Sequence, residues 1–217
     1  RVIENRVNGL GVSEAIVQSS GQDQLLIQLP GVSDPAQAQR VLGGTAQLEF
    51  RPQRPGTEGQ LQAVAQIVGQ QQQQQAVLLA GGSNGLSEEQ TAELESITAD
   101  LQASRETLME FFEPSELTGD KLTDAIAQPR NIGGTAWEVA ITFNNQGADM
   151  FSEMTRNIAG TGRTLGIFLD DQLISAPTVD VAYAATGIPG GSAVISGNFD
   201  TETARDLEVQ LRGGALP

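Results

Sequence analysis

The chain has 217 residues, of which 39% are hydrophobic but only 4% are aromatic, and its formal net charge is −15. A chain of this length forms one large domain or two small ones, with a core built mostly from aliphatic side chains. So acidic a chain, whose single lysine is Lys121, repels nucleic-acid phosphates, and no basic stripe offsets that repulsion.

The sequence contains neither cysteine nor histidine. The absence of cysteine excludes disulfides and thiol chemistry, and it fits a reducing or an oxidising compartment equally. The absence of both residues removes most nucleophile–base pairs and most transition-metal sites. No apolar run approaches the roughly 18 residues that a membrane span needs.

The first part of the chain has the order α–β–β–α–β. Residues 1–10 carry apolar side chains at helical spacing, 15–20 and 24–29 form two strands of a hairpin closed by "GQD", 35–42 form a helix, and 45–50 alternate as a third strand. One strand before residue 1 would complete the ferredoxin-like β–α–β–β–α–β motif. We therefore expect a ferredoxin-like base whose first strand is truncated, in a chain cut from a longer protein.

A glutamine-rich, apolar stretch follows, with six consecutive glutamines at 70–75. Ser87 and Gln90 form a capping box that starts a second helix. Two long helices joined by the glycine-rich turn at 81–85 predict an antiparallel helical hairpin over 54–113. The glutamines are interpreted either as a solvated helix face or as a flexible tract that contacts a partner.

Residues 114–191 are predicted to form a small, β-rich head. A connector with a short helix at 113–129 leads to the clearest alternating strand, 135–143. A helix follows, with apolar side chains at three- to four-residue spacing between 148 and 158. Two further strands flank Asp170–Asp171, which is typical of a hairpin turn.

The chain closes with a strand at 192–197 and a last helix that Asp200 or Thr201 caps. The helix carries one apolar stripe, formed by Ala204, Leu207 and Leu211. This stripe needs a partner sheet, and residues 1–53 lack a full core of their own.

The expected fold class is therefore α+β. We predict that 1–53 and 192–217 together form the base subdomain. The helical hairpin, 54–113, and the head, 114–191, would be inserted between these two parts.

No catalytic, cofactor-binding or metal-binding residue is predicted. Asp170 and Asp171 belong to a turn, and Asp149 and Glu153 to a solvated helix face. No D-x-D-x-D-G loop occurs, and the glycine-rich segments lack the spacing that cradles phosphate. A hydrolase that uses carboxylates is one alternative, and it would need two buried carboxyl groups about 5–10 Å apart in a cleft.

Six stretches together resemble one family. They are NRVNGLGVSEAIVQ, LIQLPGV, TAQLEFR, VAITFNNQGADMFSEMT, GIFLDDQLISAPTV and GGSAVISGNFDTETARDLEVQLRGGALP. In this order they are similar to the SecD family, and "SAP" followed by "ISGNF" and a final "LRGGALP" is the most specific part. The resemblance covers most of the chain outside 54–113, and the glutamine-rich hairpin looks like a variable insertion.

SecD is the large-ectodomain subunit of the bacterial SecDF protein-export factor. The resemblance implies the first extracytoplasmic domain of an inner-membrane protein, with "LRGGALP" leading into the second transmembrane helix. It implies that unfolded preprotein, SecF and the SecYEG channel are the partners, that flanking helices attach the domain to the membrane, and that proton flow through the membrane part helps to draw preproteins out. The domain itself would be a non-enzymatic module that handles substrate, or alternatively a scaffold for translocon assembly.

Two crossings between base and insert are rich in proline and glycine. "RPQRPG" lacks two backbone donors, and "IPGG" offers two residues that tolerate positive φ. From the residues alone these segments are also interpreted as ordinary loops, but the resemblance implies a head that tilts on its base and so favours a hinge. The candidate hinge residues are Arg51, Pro52, Pro55, Pro189, Gly190 and Gly191.

Overall fold

In the computed structural model the chain is described over residues 2–11, 15–20, 24–30, 32, 34–81, 86–131 and 134–216. These residues form six α-helices: α1 (Val2–Gly9), α2 (Pro35–Gly43), α3 (Glu58–Gly81), α4 (Glu88–Glu110), α5 (Asn145–Ile158) and α6 (Thr201–Gly213). They also form eight strands: β1 (Ile16–Ser20), β2 (Gln24–Gln28), β3 (Leu48–Pro52), β4 (Leu122–Pro129), β5 (Trp137–Phe143), β6 (Leu165–Leu169), β7 (Gln172–Ser175) and β8 (Ser192–Phe199). The predicted turn at 21–23 lies outside the described residues, and so does the turn predicted at 81–85 except for Gly81, which ends α3.

The strands of the described residues pair in three antiparallel sheets. β1 and β2 form a two-stranded sheet, β3, β6 and β7 form a second sheet in that order, and β4, β5 and β8 form a third. Helices and antiparallel strands in one chain confirm the predicted α+β class.

The strand β3 does not pair with β1 or β2, the strands that the predicted ferredoxin-like base groups with it. One edge of β3 pairs with β6, where Phe50 lies opposite Ile167. The other edge is covered by the segment before β4, because the Phe50 amide donates to the Leu117 carbonyl at 3.0 Å and the Glu113 amide donates to the Pro52 carbonyl at 2.9 Å. With both edges occupied, β3 is not in one sheet with β1 and β2, and the ferredoxin-like description is not confirmed.

The last strand and helix contact parts of the chain that the predicted division separates. β8, assigned above to the base, pairs with β5 of the predicted head, and Val139 lies opposite Ile195. The stripe of α6 is buried as predicted, because Ala204, Leu207 and Leu211 join the core that contains these strands. The same helix contacts α1 and α2 on another side. α6 is thus shared by both parts of the chain.

The strand β4 was missed in the sequence, where 113–129 is predicted as a connector with a short helix. The structure has a single 3₁₀ turn at Gly119–Lys121 and then eight residues of strand paired with β5. The buried side of β4 is formed largely by Ala125 and Ala127. Because alanine has a low strand propensity, the sequence gives a weak strand signal there.

The main core lies between the two three-stranded sheets, α5 and α6. Phe50 packs edge-to-face against Phe143 and Phe151, with ring centroids 5.3 and 6.2 Å apart. A smaller cluster, Leu61, Leu108, Phe112 and Phe168, attaches the hairpin of α3 and α4 to β6. Leu61 lies near the start of α3, and Leu108 and Phe112 lie at and just after the end of α4, so the cluster lies at the ends of the two helices that adjoin the sheet. Farther along α3 the side chains are more exposed, as Val77 is at 65%.

Asp200 makes the stability of α6 depend on pH. Its carboxylate accepts from the backbone amide of Thr203 at 2.8 Å, and this hydrogen bond holds the pKa of Asp200 below its usual value. The contribution is therefore present above the unfolded-state pKa of about 4 and is lost as the pH falls through the lower folded-state pKa. We expect Asp200→Ala to lower the Tm at pH 7 and the loss to shrink below pH 4, as followed by circular dichroism.

Asp200→Asn is the matched control, since asparagine caps helices equally well but does not titrate. At pH 7 the Tm of the asparagine variant should be close to that of the unsubstituted chain. A Tm difference between Asp200→Ala and the unsubstituted chain that stays constant from pH 7 to pH 3 would contradict this account.

Candidate functional site

The first predicted hinge crossing is held in a sheet. Arg51 and Pro52 are the last two residues of β3, and both pair with β6. The Arg51 guanidinium binds the Glu49 carboxylate at 2.6 Å and lies 5.1 Å from the centre of the Phe168 ring. Pro55 follows in an exposed turn. Of the three candidate hinge residues in this crossing, only Pro55 lies outside the strand pairing.

The second predicted crossing precedes β8. Pro189 and Gly190 are exposed, and Gly190 has φ +90°. Gly191 is buried with φ +62°, its carbonyl accepts from the Phe143 amide at 2.7 Å, and a Cβ there would lie 2.7 Å from that of Ala148. Gly191 is thus fixed against the head, and a hinge at these six residues stays a prediction.

The structure shows a different connection between the two parts of the chain at residues 44–47, which we call the junction. It joins α2 to β3. The Asp170 carboxylate, in the turn between β6 and β7, accepts from the backbone amides of Ala46 at 3.1 Å and Gln47 at 2.8 Å and from the Thr45 hydroxyl. In return the Asp170 amide donates to the Gln47 carbonyl at 3.0 Å. Asp170 therefore ties the junction to the head sheet.

Arg6 holds the junction from the other side. Its side chain is fully buried, and its guanidinium donates to the carbonyl oxygens of Val41, Thr45 and Gly214, each at 2.9 Å, and to that of Gly44. Burial lowers the pKa of Arg6, with the Asp170 carboxylate acting in the opposite direction, but an arginine stays protonated. One charged side chain thus connects α1, the end of α2, the junction and the end of α6.

Two small residues make this arrangement possible. Gly213 lies against Arg6, where an added Cβ would come within 2.4 Å of the Arg6 Cγ. Ala46 is 2% exposed and has φ +55°, a backbone conformation that costs a non-glycine residue about 1–2 kcal/mol. Hydrogen bonds that the Asp170 carboxylate accepts and that the Arg6 guanidinium donates hold the junction in this strained form. Gly213 of the "RGG" in the last segment is therefore required for the packing of Arg6.

Sequence reasoning missed both Arg6 and the junction. The sequence shows only that Arg6 stands next to the apolar Val7 in a predicted helix, and the structure buries both residues. Asp170 was recognised, but only as a turn residue. Its long-range role could not be found, because it depends on which segment lies beside that turn in the fold.

Among the described residues the one buried carboxylate is that of Asp206, at the interface of α2 and α6. Asp206, 7% exposed, accepts from Arg40 at 2.8 Å and from the Gln37 amide at 2.9 Å, and Arg40 also pairs with Glu202. No second buried carboxyl group accompanies Asp206 in the described part of the chain. The pair that a carboxylate-based hydrolase needs is thus not found there.

Within the described ranges, no group of three or more His, Cys, Asp or Glu side chains is arranged to hold a metal ion. None of the helices in those ranges is both long and apolar enough to cross a bilayer. What the arrangement provides is a mechanical connection between two parts of a chain, made of backbone carbonyls, one guanidinium and one carboxylate.

Two family models match the chain. The model of the SecDF P1 head subdomain matches residues 95–217, and that of the N-terminal part of the P1 domain of protein translocase subunit SecDF matches residues 1–55. The head model includes 192–217, in agreement with the pairing of β8. Residues 56–94, which hold most of the helical hairpin, lie outside both models.

Curated relatives align along the whole chain. Protein translocase subunit SecD of Synechocystis is 56% identical over 216 residues, and that of Prochlorococcus marinus is 40% identical over 238 residues. Protein translocase subunit SecDF of Thermus thermophilus is 35% identical over 218 residues. The chain spans 45%, 48% and 25% of these three proteins, respectively.

Solved structures agree with the sequences. A structure described as a membrane component SecDF that enhances protein export matches the whole chain with a TM-score of 0.65 and 31% identity, and the match covers 85% of that chain. SecDF in its super-membrane-facing form matches with a TM-score of 0.68 and 32% identity over 26% of its length. The chain therefore belongs to the SecD/SecDF family of protein translocase subunits, as the P1 domain of such a subunit.

Proposed function

We propose that this domain assists the export of proteins driven by the proton-motive force, by contacting unfolded preprotein on the extracytoplasmic side of the inner membrane. The single observation that carries the proposal is the whole-chain match to a SecDF structure described as enhancing protein export. In the parent protein, SecF and the SecYEG channel would be the partners, and the proton-carrying groups would belong to membrane helices outside this chain. The domain itself has a transport role.

The proposed motion is a rotation of the part formed by α1, β1, β2 and α2 relative to the head sheets. Two features support a bend at the junction. The junction is only four residues long, and its Ala46 has φ +55°, a strained conformation that a rotation would relieve. The predicted hinge at 51–55 and 189–191 is the other place where such a bend would occur, although Arg51 and Pro52 are paired along β3.

A disulfide between α1 and α6 tests this motion. A Cβ at Gly9 would lie 3.6 Å from the Cβ of Val209, which is a favourable separation for a disulfide. We expect the pair Gly9→Cys and Val209→Cys in the full-length parent protein to reduce export several-fold when oxidised and to restore it when reduced. The 217 residues of this chain contain no native cysteine that would compete with the pair.

The matched control is a disulfide inside the head. A Cβ at Gly134 would lie 3.6 Å from the Cβ of Asn131, so Asn131→Cys with Gly134→Cys forms a bridge of the same span that joins no moving parts. Export should be unaffected by that bridge. Full export with the Gly9–Val209 bridge closed would show that α1 and α6 need not separate.

A further inference from the structure

A groove runs between the helical hairpin and the turn that joins β6 to β7. It consists of two adjacent cavities of about 110 and 420 Å³, and Arg105, Asp171 and Gln172 line both of them. The larger cavity falls within the ~300–1,000 Å³ typical of sites that take a ligand. No residue of the junction or of the predicted hinge lines the groove. Asp170 does line it, and its carboxylate is already bound to the junction.

Arg105, on α4, projects an unpaired guanidinium into this groove. Its Nε is buried, and no hydrogen bond or ion pair to Arg105 occurs in the described part of the chain. Burial lowers the pKa of Arg105, and no nearby carboxylate raises it again. The Nε of Arg6 is likewise buried without a partner, but the two terminal nitrogens of Arg6 bind four carbonyls, whereas those of Arg105 bind no group of the described residues. A half-buried cation without a partner costs stability, and such a group calls for an explanation outside the fold.

The rest of the lining is mostly neutral and rich in amides. Gln72 and Gln172 line the groove with no hydrogen bond of their own in the described residues, and Gln75 and Gln102 line it beside them. The Oε1 of the neighbouring Gln71 is also buried without a partner. A carboxamide has the same donor and acceptor groups as a peptide bond, so this lining is complementary to a polypeptide backbone.

The charges in the groove select against an anionic occupant. Three carboxylates, those of Glu106, Asp170 and Asp171, line the larger cavity with Arg105, and the whole chain carries a net charge of −15. A phosphate or an acidic peptide would meet net repulsion there. A neutral acceptor, such as a backbone carbonyl, would take the hydrogen bonds of Arg105 without that cost.

We propose that the groove between the hairpin and the β6–β7 turn binds an extended, uncharged stretch of polypeptide, with Arg105 donating to its backbone carbonyls and Gln72 and Gln172 pairing with its peptide groups. This inference rests on the proposed function and gives that function a site. It also assigns a role to the glutamine-rich hairpin, whose residues 56–94 neither family model covers.

The test is the binding of a fluorescein-labelled 12-residue peptide of serine and leucine to the 217-residue chain, followed by fluorescence anisotropy. Arg105→Gln should raise the Kd about tenfold, because a charged donor is lost from a desolvated site. The charge-matched control is Arg156→Gln, on the exposed side of α5, which should leave the Kd unchanged. The variant Arg105→Gln should also unfold at the same urea concentration as the unsubstituted chain or at a higher one.

The outcomes separate this inference from the proposed function. If the chain binds the peptide but Arg105→Gln and Arg156→Gln bind it equally well, the groove is not the site and the proposed function stands. If Arg105→Gln unfolds at a clearly lower urea concentration, Arg105 is a structural residue and the inference is wrong. If the unsubstituted chain does not bind the peptide at all, both proposals fail.

Discussion

Replacing Arg6 by methionine is expected to lower the free energy of unfolding by about 3–5 kcal/mol, a larger loss than most single substitutions cause. Methionine fills a similar volume but donates no hydrogen bond. The carbonyl oxygens of Val41, Gly44, Thr45 and Gly214 would all lose their donor in a buried place. Each unsatisfied buried acceptor costs about 1–3 kcal/mol, and partial relaxation or water entry limits the sum. Urea unfolding followed by the fluorescence of Trp137, the only tryptophan, measures the change.

Two further variants identify the cause of the loss. Arg6→Lys keeps the charge but cannot present five donors in a planar fork, so its loss should be intermediate. Arg156→Met, at an exposed position of α5, should change the free energy of unfolding by no more than about 0.5 kcal/mol. If Arg6→Lys is as stable as the unsubstituted chain, charge alone matters, and the role of the four carbonyls is contradicted.

Local features were predictable wherever the determining groups lie close together in sequence. The capping box of Ser87 and Gln90 and the cap at Asp200 are both present, because each joins residues three apart. The turn at Asp170 and Asp171 has φ of +49° and +60°, as a tight hairpin requires. Helix periodicity likewise gave the buried stripe of α6.

Pairing between distant segments was not predictable from the same patterns. The alternation at 45–50 identifies a strand but contains no information about its neighbour, and β6, its actual partner, lies more than a hundred residues further along. The ferredoxin-like expectation assumed that strands near in sequence share a sheet, which holds for β1 and β2, β4 and β5, and β6 and β7, but not for β3. The burial of Arg6 depends on the same kind of distant arrangement.

Family resemblance and local pattern therefore contributed different parts of the picture. The resemblance identified the SecD family from motifs such as "LRGGALP", while the structure shows the physical reason for that segment. Gly213 leaves room for the Arg6 side chain, and the Gly214 carbonyl accepts from its guanidinium. A side chain at Gly213 would displace Arg6 and with it the donor to the junction.

Asp170→Ala is expected to destabilise the chain by about 1–3 kcal/mol more than Asp171→Ala. Both residues have positive φ, so both substitutions carry the same backbone cost, and the comparison cancels it. Asp171 is 71% exposed and makes one distant ion pair, 3.7 Å from Arg51. Asp170 accepts three hydrogen bonds from the junction. The difference between the two variants therefore measures the connection between the junction and the head sheet.

Hydrogen exchange locates that difference within the chain. The amides of Ala46 and Gln47 donate to the Asp170 carboxylate, so in Asp170→Ala their exchange should accelerate more than tenfold, while the amides of β5 keep their protection relative to global unfolding. In Asp171→Ala the two junction amides should exchange nearly as they do in the unsubstituted chain. Equal acceleration in both variants would mean that turn geometry, rather than the Asp170 carboxylate, holds the junction. A selective acceleration would show that the connection opens locally while the head stays folded, which a domain that moves on its base requires.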